Sequence, residues 1–135
     1  MTLSELYLSL SGRISRRTFW LKGVLPLFII ELVLGFLSGG LGAAAGREGG
    51  GLFGGLLGIL VFVVSILLIW PALAISFKRW HDRGKSGWWV LIGLVPIIGS
   101  LWVLIECGFL AGTPGPNKFG PAPDTMPTAV AAAQS

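Results

Sequence analysis

Between residues 52 and 77 the chain carries no charged side chain. A helix needs roughly 20 mainly apolar residues to cross the hydrocarbon core of a bilayer, so this stretch is long enough to span one. Two further stretches have the same character. The first covers about 19–41 and is interrupted only by Lys22, Pro26 and Glu31. The last covers about 88–111, with Pro96 near its middle and Glu106 towards its end. Apolar residues surround each stretch instead of forming one stripe, the pattern of a lipid-embedded helix. Only 12% of the 135 residues are charged, about half the roughly 25% of a soluble domain, so no water-facing shell can be built around three such helices. The expected fold is all-α: one integral membrane domain over residues 1–123 with three transmembrane helices and a short interfacial N-terminal helix. A disordered tail rich in Pro, Ala and Thr is expected over 124–135.

Orientation follows from the basic residues. Arg13, Arg16, Arg17 and Lys22 flank the start of the first stretch, and Lys78, Arg79, Arg83 and Lys85 lie between the second and third. Only Arg47 and Lys118 fall elsewhere. Cytoplasmic loops carry an excess of Lys and Arg, so the N-terminus and second connection are expected in the cytoplasm, with the first connection and the tail opposite. The tail's side depends on a complete third crossing. Proline removes a backbone donor and crowds the preceding turn, so Pro96-Ile-Ile-Gly99 is expected to kink a single span. The alternative is a re-entrant hairpin that returns the tail to the cytoplasm, which is tolerated only where protein or water covers the broken backbone.

Trp20, Trp80, Trp88 and Trp89 fall at the expected cytoplasmic boundary, where indoles favour the headgroup region. Trp70 and Trp102 lie deeper and are expected to pack between helices. Thr2 and Glu5 have the spacing of a capping box. Leu3, Leu6, Tyr7 and Leu10 then recur at helical spacing, as in a helix lying flat on the membrane surface.

Glu31 is the sharpest outlier. It lies roughly 18 Å into its stretch at ~1.5 Å per residue, close to the bilayer centre. An intramembrane carboxyl is costly and is a functional candidate by default. Its two readings are proton exchange in a transporter, or a hydrogen bond to Ser65 or a backbone carbonyl. The densest polar run is Lys78-Arg-Trp-His-Asp-Arg-Gly-Lys-Ser-Gly87. Its Gly84-Lys85-Ser86 is not a phosphate-binding loop, because position 79 is Arg where a glycine is required and a membrane helix precedes it. No nucleophile accompanies His81 and Asp82 at a recognisable spacing, so no catalytic residues are assigned. A lone His without a Cys or carboxylate cluster is a poor metal site, and no metal or other cofactor is expected. Asp82 is expected to bond loop amides or to pair with Arg13, Arg16 or Arg79, fixing the loop against the N-terminal segment. Glycines crowd between residues 35 and 58, which suggests a flexible exterior loop around Arg47 and Glu48. The pairs Gly35/Gly39, Gly54/Gly58 and Gly108/Gly112 suit close helix approach, as a dimer seam or as internal packing.

Three segments in order carry a resemblance: Ser11-Gly-Arg-Ile-Ser-Arg-Arg-Thr-Phe-Trp20, Arg79-Trp-His-Asp-Arg-Gly-Lys-Ser-Gly-Trp-Trp89, and Pro96-Ile-Ile-Gly99 with Gly112-Thr-Pro-Gly-Pro-Asn-Lys-Phe-Gly-Pro121. Together they resemble the bacterial inner-membrane family called domain of unknown function 805, over about residues 10–123. Most members of that family have Leu where this chain has Trp80. The resemblance implies a small multi-pass protein of the bacterial plasma membrane and brings no activity, substrate or catalytic residue. The expected role is non-enzymatic: binding anionic lipid headgroups or a membrane partner through Arg13, Arg16, Arg17, Arg79, Asp82, Arg83 and Lys85, with no nucleic-acid partner. The alternative is an oligomeric proton-coupled transporter with Glu31 as the coupling carboxylate. Three spans are too few to enclose a pathway alone, so that reading requires a homo-oligomer.

Overall fold

The structure, a computed structural model, describes residues 1–44 and 51–123. The expected glycine-rich loop around Arg47 and Glu48 and the expected disordered tail lie outside the described residues. Among the described residues there is no strand, only an isolated bridge between Asn117 and Gly120.

Helix α1 (Leu3–Leu8) opens on the capping box: Thr2 accepts from the Glu5 amide while the Glu5 carboxylate accepts from the Thr2 amide. Its Leu6 is buried against α4, so the face expected to lie on lipid is partly spent on protein. Helix α2 (Arg16–Thr18) is capped by the Ser15 hydroxyl and continues through a π-helical segment (Phe19–Val24) into α3 (Leu25–Ala44). Helix α4 (Gly51–Asp82) returns antiparallel to α3 and packs along it. At ~1.5 Å per residue its 32 residues extend about 48 Å, well beyond the ~30 Å hydrocarbon core. Its last turns therefore project past the apolar zone. The segments Arg16–Leu41 and Gly51–Asp82 are long and apolar enough to cross a membrane.

The third apolar stretch departs from the expected kinked helix. A 3-10 helix (Gly87–Leu94) runs outward, the chain turns at Val95, Pro96 and Ile97, and α5 (Ile98–Val103) with a π-helical segment (Leu104–Phe109) comes back beside it. At ~2.0 Å per residue the outgoing limb is about 16 Å long, half the thickness of the core. Two residues make the reversal. Ile97 has φ +64° and ψ −66°, and the Ile98 amide donates to the Pro96 carbonyl at 2.7 Å, which defines the rarer, strained form of γ-turn. Gly99 then lets the limbs touch, because a Cβ there would sit 1.8 Å from the Ile92 carbonyl oxygen.

The core lies at one end of the molecule. Leu6, Ile14, Phe19, Ile75, Trp80 and Cys107 form it, and the buried part of α4 begins only at Ala74. The other end leaves Phe28, Leu32, Phe36, Phe62 and Leu67 exposed, as suits helices whose solvent is lipid. Trp70 and Trp102 do not pack between helices as expected. Both are about half exposed, and the Trp70 indole donates to the Leu8 carbonyl at 2.9 Å.

Candidate functional site

The last turn of α4 carries Asp82 into contact with two arginines from distant parts of the chain. Arg13 donates to Oδ1 from Nε at 3.1 Å and from Nη2 at 2.9 Å. Arg79, one turn earlier on α4, donates to Oδ2. All three side chains are buried. A buried ion pair is costly unless its remaining donors are satisfied, and for Arg13 they are. Arg13 spends its other N–H groups on the carbonyls of Thr113 (2.7 Å), Gly115 (2.8 Å) and Gly120 (3.1 Å), so all five donors are used. The expected pairing of Asp82 with Arg13 and Arg79 is thus observed. Arg16 does not join it.

The returning limb of the hairpin explains the other basic residues. A helix ends with several carbonyls that lack an intrahelical partner, and this end also carries the negative pole of the macrodipole. Here five consecutive carbonyls each accept a side-chain N–H. Cys107 accepts from Arg79 Nε at 2.6 Å, Gly108 from the Trp20 indole at 2.9 Å, and Phe109 from Arg16 Nη1 at 2.7 Å. Leu110 accepts from Arg79 Nη2, and Ala111 from Arg83 Nη1. The end of α1 is treated alike, with Lys78 donating to the carbonyls of Leu6 and Ser9. The basic motifs therefore act first as caps for two helix ends.

Glu106 belongs to the same end of the molecule and not to the far side on which a spanning third helix would have placed it. Its carboxylate is held by Arg83 at 2.9 Å and Lys85 at 2.7 Å. Burial pushes this carboxyl up, but the hydrogen bonds from Lys85 and Arg83 outweigh that and hold it below its ordinary value. The Lys85 ammonium also lies 5.1 Å from the Trp89 ring centroid, a cation–π distance. Trp80, fully buried, has an indole N–H without a hydrogen-bond partner among the described residues.

The segment after the hairpin closes the cap. The Thr113 amide donates to the Asp82 carbonyl at 2.6 Å, and Gly112 must be glycine there, since a Cβ would meet Asp82 Oδ2 at 1.9 Å. Asn117 donates to the His81 carbonyl at 2.9 Å, and Phe119 stacks on the His81 ring at a centroid distance of 4.1 Å. His81 and Asp82 thus serve different partners. His81 Nδ1 lies 3.0 Å from the Gly12 carbonyl, which ties the loop to the N-terminal segment. Among the described residues no group of three His, Cys, Asp or Glu is gathered to hold a metal.

Of the residues expected to meet lipid or a partner, Arg13, Arg79 and Asp82 are buried within the protein. Arg83 and Lys85 are engaged by Glu106, and Arg16 by Phe109. Arg17 is exposed and has no partner among the described residues. Lys22, which carried no weight in the sequence reading of the site, is exposed with its ammonium equally free. An apolar groove of about 360 Å³ lies between the first membrane helix and the hairpin, lined by Phe19, Trp20, Val24, Gly93, Ser100 and Val103 among others. Far from this end, Glu31 accepts one hydrogen bond, from the Ser65 hydroxyl at 3.2 Å, and is otherwise exposed on α3. That bond is the structural alternative drawn from the sequence.

The acceptor carbonyls 107–111 and the buried Gly112 contact were missed because a backbone carbonyl has no signature in sequence. The only signal available was the nearness of several unpaired arginines to a helix end.

Comparison with known proteins places this architecture. "Inner membrane protein YhaH" of Escherichia coli (strain K12) is 40% identical over 121 residues, covering 90% of this chain and 92% of its own. "Inner membrane protein YhaI" of the same strain is 29% identical over 123 residues, covering 87% of each. "Uncharacterized protein YiiR" of that strain is 30% identical over 150 aligned positions, covering 89% of each. No solved structure matches the chain. The profile of a family described as "Protein of unknown function (DUF805)" matches residues 7–121, the interval that contains Arg13, Arg79, Asp82 and the carbonyls 107–111. The chain therefore belongs to the DUF805 family.

Proposed function

We propose that the protein is a non-enzymatic inner-membrane protein with two spans and a re-entrant hairpin, which presents a cationic rim to anionic headgroups at the cytoplasmic surface. The observation that carries this reading is the division of labour among the basic residues. Six of the seven residues first assigned to binding are consumed internally, while Arg17 and Lys22 stay exposed and unpaired where the first span begins. Each juxtamembrane Lys or Arg contributes about 1 kcal/mol of attraction to an anionic surface.

The folded-back hairpin supports a topology in which N-terminus and tail share the cytoplasmic side. Lys118 then joins the eight basic residues already assigned there, leaving Arg47 alone opposite, a stronger positive-inside bias than a third crossing gives. Green fluorescent protein fused after Ser135 tests this, since it fluoresces only when the tail is cytoplasmic. A dark, periplasmic fusion overturns it.

The headgroup reading is tested by spin-labelled lipid in reconstituted membranes. The native protein should immobilise phosphatidylglycerol in preference to phosphatidylcholine, and Arg17→Gln with Lys22→Gln should erase most of that preference. An unchanged preference overturns the reading. The Glu31 transporter is the second reading, and the exposure of that carboxyl on a lipid-facing helix favours keeping it. Proton flux into proteoliposomes that survives Glu31→Gln would end it.

A further inference from the structure

We infer that the cavity between α1, the loop at Arg13 and the start of the first membrane helix binds the headgroup of one anionic phospholipid, its phosphate on Lys22. This deepens the proposed headgroup reading and rests on it. The cavity has a volume of about 420 Å³, and Leu6, Arg13, Ile14, Thr18, Lys22 and Phe119 are among the residues that line it. That size lies within the range of about 300–1,000 Å³ typical of ligand sites.

Charge selects an anion. Lys22 lines the cavity, and its ammonium has no partner among the described residues. Arg13 also lines it, and belongs to a buried cluster in which two guanidinium groups share one carboxylate, an excess of one positive charge. No Asp or Glu among the described residues lines the cavity. The Lys118 ammonium lies 5.0 Å from the ring centroid of Phe119, so a further cation stands near that wall. Walls of low dielectric focus a field of one sign on what enters between them. Every donor of Arg13 is already used, so Arg13 supplies field, and Lys22 with its three N–H groups supplies the contact.

Position selects a lipid. Thr18 and Lys22 belong to the first membrane helix. The Tyr7 hydroxyl donates to the Lys22 carbonyl at 2.6 Å, which holds α1 against that helix. Leu3 and Leu8 of α1 remain exposed, as suits a short helix embedded at the boundary of headgroups and acyl chains. The cavity between the two helices therefore lies at the level of the lipid phosphates. Its far wall is fixed in advance, because Phe119 is stacked on His81 at 4.1 Å. The occupant is a membrane phospholipid and not a free anion, because the bilayer holds its phosphates at this depth while Leu6, Ile14 and Phe119 offer a soluble anion no partner.

Native mass spectrometry of the full chain, released from a neutral detergent with added phosphatidylglycerol or phosphatidylcholine, tests the assignment. The native protein should retain one phosphatidylglycerol more readily than phosphatidylcholine. Lys22→Gln should lower that retention roughly fivefold. Pro121→Trp, at an exposed lining position that keeps every cation, should fill the cavity and abolish retention. Inorganic phosphate added at the same concentration should not compete. Retention by Lys22→Gln or by Pro121→Trp equal to the native protein overturns the cavity site while leaving the headgroup reading intact. Equal retention of the two lipids by the native protein overturns both. Competition by inorganic phosphate shows a bare anion site and overturns the lipid assignment.

Discussion

Asp82 and Glu31 are both carboxyls on apolar helices of this small protein, and their surroundings have little in common. Asp82 is buried between Arg13 and Arg79, whose other donors end on backbone carbonyls. Glu31 has one serine hydroxyl and faces outward. The same contrast holds for the two ends of the molecule. The cap is a compact polar and aromatic core in which charges are buried because every partner is present. The far end of the membrane helices is loosely packed and depends on lipid as its solvent. The lesson is that specificity of fold is concentrated in the cap, and the apolar length mainly anchors it.

Removing the centre of the cap should break this contrast most severely. Asp82→Ala strands two guanidinium groups in the interior, a loss of about 3–5 kcal/mol for breaking a buried pair. Cys107 is fully buried, so its reactivity towards a maleimide on heating reports the loss. A native-like reaction rate would show that the cap is not the stable half. Gly99→Ala comes next, at about 1–3 kcal/mol, because the new methyl group meets the Ile92 carbonyl and the limbs must separate. Its unfolding midpoint should fall while the two long helices remain, seen as lost thermal stability with little change in far-ultraviolet circular dichroism.

A smaller effect is expected from pH. The Glu106 carboxyl is depressed in the folded state from its ordinary 4.5, so its contribution is complete above that value and disappears as pH falls through the folded value. Native protein should therefore lose stability below about pH 4.5, and Glu106→Gln should flatten that part of the profile. The smallest effect belongs to the far end. Ser65→Ala should cost about 0.6 kcal/mol, the average for an interhelical hydrogen bond in a membrane. A loss as large as that of Asp82→Ala would erase the distinction between the two ends.

Much of the membrane half was legible in the sequence, because length and uniform apolarity determine which helices can span. The Thr2–Glu5 cap, the pairing of Asp82 with Arg13 and Arg79, and the Glu31–Ser65 contact were legible too, since each rests on side-chain chemistry. The hairpin was not. A kinked span and a re-entrant loop share one composition, and Pro96 breaks either of them. What decides is the strained turn at Ile97 and the close approach at Gly99, and these depend on packing. Once the third stretch is drawn as one continuous helix, Glu106 moves to the end away from Arg83 and Lys85, and its two basic partners are invisible. The burial of Arg13 and Arg79, both assigned to binding from the sequence, was missed for a related reason. Their charges were counted, but the carbonyls of a helix end that would consume them were not.

The reach of Arg13 also sets an order of events during synthesis. Its carbonyl partners are Thr113, Gly115 and Gly120, close to the end of the described chain. While the ribosome is still making the hairpin, α1 can pack on α4 and Arg13 can reach Asp82, but the carbonyls that take the other donors of Arg13 do not yet exist. The cap closes last, after both long helices are made. A chain truncated before Thr113 should therefore insert normally yet stay open to protease around Arg13. Completion of residues 113–120 thus acts as a latch on a molecule already in its membrane.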